Sequence, residues 1–126
     1  MLFDTPLLIW AALDDPRLTA AARLAVHDAG DAATFSVLSL WEVAIKHGLR
    51  REDFPIPPQA LRAGLIASGW QELAILPEHA MAVVNLPPLH GDPFDRLLLA
   101  QARVEGIRLV TADRRLAEYG PDVRRV

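Results

Sequence analysis

The chain has 126 residues, of which 52% are hydrophobic and 23% charged, with no cysteine. That suffices for one domain with a real core, and it excludes a disordered chain, a disulfide framework, thiolate metal sites and cysteine nucleophiles. A net charge of −3 argues against a broad nucleic-acid-coating surface. It leaves room for a local basic rim at Arg50–Arg51, Arg114–Arg115 or Arg124–Arg125, although each pair reads first as solvated surface charge.

Short strands alternate with helices along the chain. "MLFD" (1–4) reads as a buried strand, and 5–13 as a helix with Pro6 near its start. Residues 19–30 predict a helix capped by Thr19 and closed by Gly30, and "TFSV" (34–37) a strand. "SLWEVAIKHG" (39–48) predicts a helix, prolines 55, 57 and 58 a loop, 59–69 a helix and 71–76 a strand. Pro77 opens a helix over 77–86, and the "PPLHGD" loop leads into a helix over 93–106 that ends at Gly106. "RLVT" (108–111) reads as a strand, 113–120 as a short helix and 122–126 as an edge strand. No repeat, low-complexity tract or long linker divides the chain, so 1–126 is expected to be one α/β domain. Its sheet should be short, central, mostly parallel and flanked by helices. Sites in such sheets form outside the carboxyl ends of the strands. The start, "MLFDTPLLIWAALDD", lacks the basic region and small-residue cleavage site of a signal peptide, and Asp14 and Asp15 break its apolar run. The expectation is a cytoplasmic protein with no membrane partner.

Several carboxylates raise a question of placement. Asp92 precedes Pro93, the usual pairing of an N-cap with the first helical position. Asp95 shares a helical stripe with Leu98, Leu99 and Ala102, which should face a core. Asp4 and Asp113 each leave a strand at its carboxyl end, and each can cap the helix that follows. Glu42 lies mid-helix on one stripe with Leu38, Ile45 and Leu49, where an acid is rare unless paired or bound. Taken together, Asp4, Glu42, Asp95 and Asp113 are expected to converge. Four close negative charges need arginines, protons or hard cations, and an oxygen-only donor set suits Mg²⁺ or Mn²⁺. Such ions activate water for phosphodiester hydrolysis.

At these residues the chain resembles a PIN-domain ribonuclease of the VapC branch of toxin–antitoxin pairs. "LFDTP", "SLWEVAIKHG", "DPFDRLLLAQA" and "GIRLVTAD" stand in the family's order and together span the chain. The resemblance implies a PIN-like three-layer fold and a metal-dependent endoribonuclease toxin that hydrolyses RNA and is neutralised by a cognate VapB-like antitoxin. It implies Asp4, Glu42, Asp95 and Asp113 as metal-binding and catalytic acids. Thr5, Ser36 and Thr111 match the family's small hydroxyl positions, where they would hold carboxylates in place. Two positions depart from the pattern. Pro6 stands where relatives with "DTH" carry histidine, and Arg115 where many relatives carry a further acid. The second departure removes an acid from a second metal position and offers an arginine to an RNA phosphate or to solvent.

The remaining residues get plainer readings. His27, His47, His79 and His90 show no metal-ligand spacing and are expected at the surface or in loops. Trp10, Trp41 and Trp70 are expected in core or interface. A homodimer is expected, and Leu7, Leu8, Trp10 and Ala11 can serve its interface or the core. Other α/β proteins with clustered acids fit less well. A phospho-acceptor receiver needs a lysine after its last strand, but the one lysine is Lys46. A haloacid-dehalogenase-type phosphatase needs a second Asp where Pro6 stands. A catalytically silent PIN fold that only binds is the alternative that composition and spacing leave open.

Overall fold

In the computed structural model, which describes residues 1–126, five short strands make one parallel sheet. The elements are β1 (Leu2–Phe3), α1 (Thr5–Ala12), α2 (Ala20–Ala29), β2 (Thr34–Ser36), α3 (Val37–Gly48), α4 (Pro58–Ala67) and β3 (Gln71–Leu73). They continue with α5 (Pro77–Ala82), α6 (Pro93–Glu105), β4 (Leu109–Thr111), α7 (Arg114–Ala117) and β5 (Val123–Arg125). Strand order is β3-β2-β1-β4-β5, with Leu2 opposite both Thr34 and Leu109. From β1 the chain winds outward through β2 and β3, then returns to add β4 and β5 on the other side. β1 is therefore the switch point, and the crevice at its carboxyl end is the natural place for a site. No helix is long and apolar enough to cross a membrane.

Alternation along the central strands divides the core into two layers. Phe3 and Val110 face one layer, with Leu7 and Leu8 of α1, Ala22 and Ala25 of α2, and Leu61 and Leu65 of α4. Leu2 and Leu109 face the other, with Leu98, Leu99 and Ala102 of α6 and Leu116 of α7. α3 serves both, giving Val43 to the first layer and Leu38 to the second. Leu7 and Leu8 are thus core, while Trp10 and Ala11 are partly buried against it. Trp70 packs edge-on against Phe3 with ring centroids 4.9 Å apart, whereas Trp41 is exposed.

The expected elements all form, with shorter strands. The helix expected over 77–86 is split into α5 and a 3₁₀ turn at Val83–Asn85. α3 begins at Val37, two residues earlier than the sequence suggested, because the Ser36 hydroxyl accepts from the Leu38 N–H and caps it. α6 ends where Gly106 takes a φ of 67°, a left-handed conformation in which a side chain would be strained.

The stripe proposed for Glu42 is only half inward. Leu38 and Glu42 are buried, but Ile45 is 39% exposed and Leu49 71%. The reason is length. The 12 residues of α3 extend about 18 Å, against about 10 Å for a three-residue strand, so its last turns overhang the sheet.

Candidate active site

Asp4 follows β1 directly, and its N–H donates to the Val110 carbonyl at 3.0 Å, which locks it beside β4. Its carboxylate does two things. Oδ1 accepts from the Leu7 N–H and caps α1, and Oδ2 accepts a short hydrogen bond from the Thr111 hydroxyl. Thr111 Oγ1 also accepts from the Asp113 N–H at 3.0 Å, so one hydroxyl ties the two acids together. Asp113 repeats the division of labour. Oδ1 caps α7 through the Arg115 N–H at 2.8 Å, and Oδ2 lies 3.7 Å from His90 Nε2. Asp92 is the cap of α6, its Oδ1 accepting from the N–H groups of Phe94 and Asp95. Asp95 is thereby freed from capping, and its Oδ2 meets His90 Nε2 at 2.8 Å.

Asp4, Asp95 and Asp113 line one cleft of about 410 Å³, whose other wall includes Trp10, Arg17 and Phe54. Burial is the main reason that the Asp4 carboxyl is pushed up to about 7, and the neighbouring charges of Asp95 and Glu42 add to it. Burial likewise raises Asp95 to about 6, against the pull of its hydrogen bond from His90. Mutual repulsion is therefore real but secondary to desolvation.

Glu42 is 5% exposed, and its charge reaches Asp4 and Asp95, yet it does not line the cleft. Lys46 Nζ holds its Oε2 at 2.5 Å, one helical turn away, and itself sits over the rings of Phe54 and Phe94. The i,i+4 spacing of Glu42 and Lys46 is the sequence signal for this pair.

Of the three hydroxyls expected to hold carboxylates, Thr111 does so. Thr5 instead donates to Ser39 Oγ at 3.0 Å, and Ser36 donates to Gln101 Oε1 at 2.6 Å. Both are buried and bond other buried polar side chains rather than the acids. Arg115 is mostly solvated, with Nε 3.9 Å from Asp113 Oδ1.

His79 overturns the surface-or-loop expectation, and His90 keeps its loop but is buried. His79 is fully buried, with Nδ1 accepting from the Leu76 N–H and Nε2 on Glu105 Oε1 at 2.8 Å, which joins α5 to α6. His90 is in a loop as expected but only 7% exposed, because its N–H donates to the Tyr119 hydroxyl from across α7. Its place five residues before Asp95 was the available clue. Arg17, Asp53 and Phe54 reach the cleft from loops, and no local pattern announces them.

The donor set suits a divalent cation. One ligand atom each from His90, Asp95 and Asp113 lie within 4.8 Å of one another, and no thiolate is present.

A family model for the PIN domain matches residues 1–120. Ribonuclease VapC22 of Mycobacterium tuberculosis is 34% identical over 120 residues, covering 94% of this chain and 91% of the relative. A toxin–antitoxin complex from Klebsiella pneumoniae superposes with a TM-score of 0.67 at 22% identity, over 97% of this chain and 93% of that one. VapBC2 from Rickettsia felis, solved bound to a DNA fragment from its promoter, superposes with a TM-score of 0.68 at 13% identity, over 99% and 96%. The chain belongs to the PIN domain family and to its VapC branch.

Proposed function

We propose that residues 1–126 act as one PIN domain, a metal-dependent endoribonuclease toxin that hydrolyses RNA phosphodiester bonds in the cytoplasm and is neutralised by a cognate VapB-like antitoxin. The observation that carries this reading is the arrival of Asp4, Asp95 and Asp113 from three elements at one cleft, where burial raises the carboxyls of Asp4 and Asp95. The likeness to a named ribonuclease supports the activity, and the likeness to toxin–antitoxin complexes supports the antitoxin. Asp4, Glu42, Asp95 and Asp113 are the proposed catalytic and metal-binding acids. A divalent cation held there, Mg²⁺ or Mn²⁺, supplies an acidified water and neutralises charge on the phosphate.

The chain's own groups do the rest. Thr111 fixes Asp4 and Asp113 relative to each other. Lys46 holds the Glu42 carboxylate in place at the edge of the group. Arg17 lines the cleft over Trp10 with Nε and Nη2 held by Asp15 at 3.1 and 2.8 Å, which leaves Nη1 to meet an RNA phosphate. The exposed Trp41 and Ile45 of α3 and Leu49 just after it offer apolar area to protein partners, the antitoxin and the second copy of a homodimer.

The test is incubation with single-stranded and structured RNA in Mg²⁺ or Mn²⁺, then in EDTA, with and without the antitoxin. Cleavage should require the metal and stop when the antitoxin is added. Cleavage that EDTA leaves unchanged overturns the metal mechanism. Tight RNA binding without cleavage under every condition would make the chain a silent binding module.

A further inference from the structure

This inference rests on the reading of the cleft as a cation-dependent nuclease site and concerns the composition of that site. His90 sits in the loop before α6 with its ring buried, and neither capping nor apolar packing explains where it points. Its backbone is pinned by the Tyr119 hydroxyl, which also accepts from Arg96 at 3.1 Å, so the ring is held from behind. Nε2 is aimed between two carboxylates, 2.8 Å from Asp95 Oδ2 and 3.7 Å from Asp113 Oδ2.

Those distances match a coordination shell. Donors bonded at about 2.1 Å to one ion stand about 3 Å apart when adjacent and about 4.2 Å apart when opposite. The three donor atoms here, all within 4.8 Å of one another, need only a small contraction to close on one ion. They come from three places along the chain: the loop before α6, the first turn of α6 and the residue after the β4 turn. All three are anchored by backbone bonds outside the group. Without an ion, the same Nε2 and carboxylate oxygen share a hydrogen bond.

We propose that His90 is a nitrogen ligand of the divalent cation, completing a mixed site with Asp95 and Asp113 that prefers a transition-metal ion such as Mn²⁺ over Mg²⁺. Mg²⁺ keeps to oxygen donors and retains its waters, whereas imidazole is a donor that first-row transition ions accept. An all-carboxylate site has no such preference built in.

The experiment uses the full chain loaded with Mn²⁺ and read by pulsed electron paramagnetic resonance. The wild type should show ¹⁴N modulation from a bound imidazole, and growth on ¹⁵N-histidine should replace it with the ¹⁵N pattern. His90→Gln should abolish the modulation. It should also lower the ratio of Mn²⁺ to Mg²⁺ affinity, measured by calorimetry, by about tenfold or more. If His90→Gln fails to fold, the labelled wild type decides alone. Bound Mn²⁺ without histidine coupling overturns the proposal and leaves the carboxylate site standing. Equal losses of Mn²⁺ and Mg²⁺ affinity in the variant also overturn it, since His90 would then only position Asp95. A chain that binds no Mn²⁺ at all overturns the cation-dependent reading together with this one.

Discussion

A carboxylate has two oxygens, and at Asp4 and Asp113 they do different work: one caps a helix and the other faces the cleft. Capping alone therefore did not decide between a structural and a functional role at either position. The pair Asp92 and Asp95 does separate the roles. Asp92→Ala should cost about 0.5–2 kcal/mol in chemical denaturation and leave metal affinity nearly intact, because it removes only a cap. Asp95→Asn should weaken metal binding strongly, while metal-free stability holds or rises because a desolvated carboxyl is gone. The reverse pattern would exchange their assignments. Titration gives a second check. Asp4 is raised to about 7 and Asp95 to about 6 from a usual value of 3.8, so the metal-free folded chain keeps protons that the unfolded chain has released. That stabilisation is full below about pH 4 and is lost as pH rises through 7. In EDTA, wild-type stability should fall from pH 5 to pH 7.5 relative to the Asp4→Asn/Asp95→Asn double variant. Exposed acids with lowered values, such as Glu72 beside Arg62, contribute equally to both proteins and cancel. A difference that stays flat across this range contradicts the buried-acid account. The identities and spacing of the acids were legible in the sequence. The burial of His90 was not, because it depends on Tyr119, 29 residues further on.

At the scale of elements, α3 shows how a helix longer than its sheet places an acid. Its inner turns bury Ser39, Glu42 and Val43, and its outer turns project past the strands. Lys46 is needed because Glu42 is otherwise a nearly buried charge. Lys46→Met should destabilise the metal-free chain by about 1–3 kcal/mol, less than for a fully buried pair because Lys46 keeps some solvent. Adding Glu42→Gln should restore most of the loss, since no unpaired charge remains. Denaturation of the two single variants and the double variant checks this, and simple additivity would mean that the ion pair carries no coupling. Helix positions and most caps followed from periodicity and from Ser, Thr, Asp and Pro placement. The inward face of α3 did not, because its stripe of Leu38, Glu42, Ile45 and Leu49 is continuous in sequence while the support beneath it stops.

The whole molecule explains why residues far apart in sequence share a site. β1 and β4 are central neighbours, so Asp4 and Thr111 meet across 107 positions, and the α6 start is carried in by packing of Leu98 and Leu99 on the sheet. Strand–helix alternation made the parallel sheet legible. The order β3-β2-β1-β4-β5 was not, because strands of two or three residues carry too little pattern to distinguish one neighbour from another. The convergence is the centre of the account, and RNA cleavage by Asp95→Asn in saturating Mn²⁺ tests it most directly. The rate should drop roughly 100-fold or more below wild type, because the loss of a direct ligand should exceed that of its supporting partners, while the fold, followed by denaturation, stays intact. A folded Asp95→Asn variant that cleaves RNA at the wild-type rate would contradict the site.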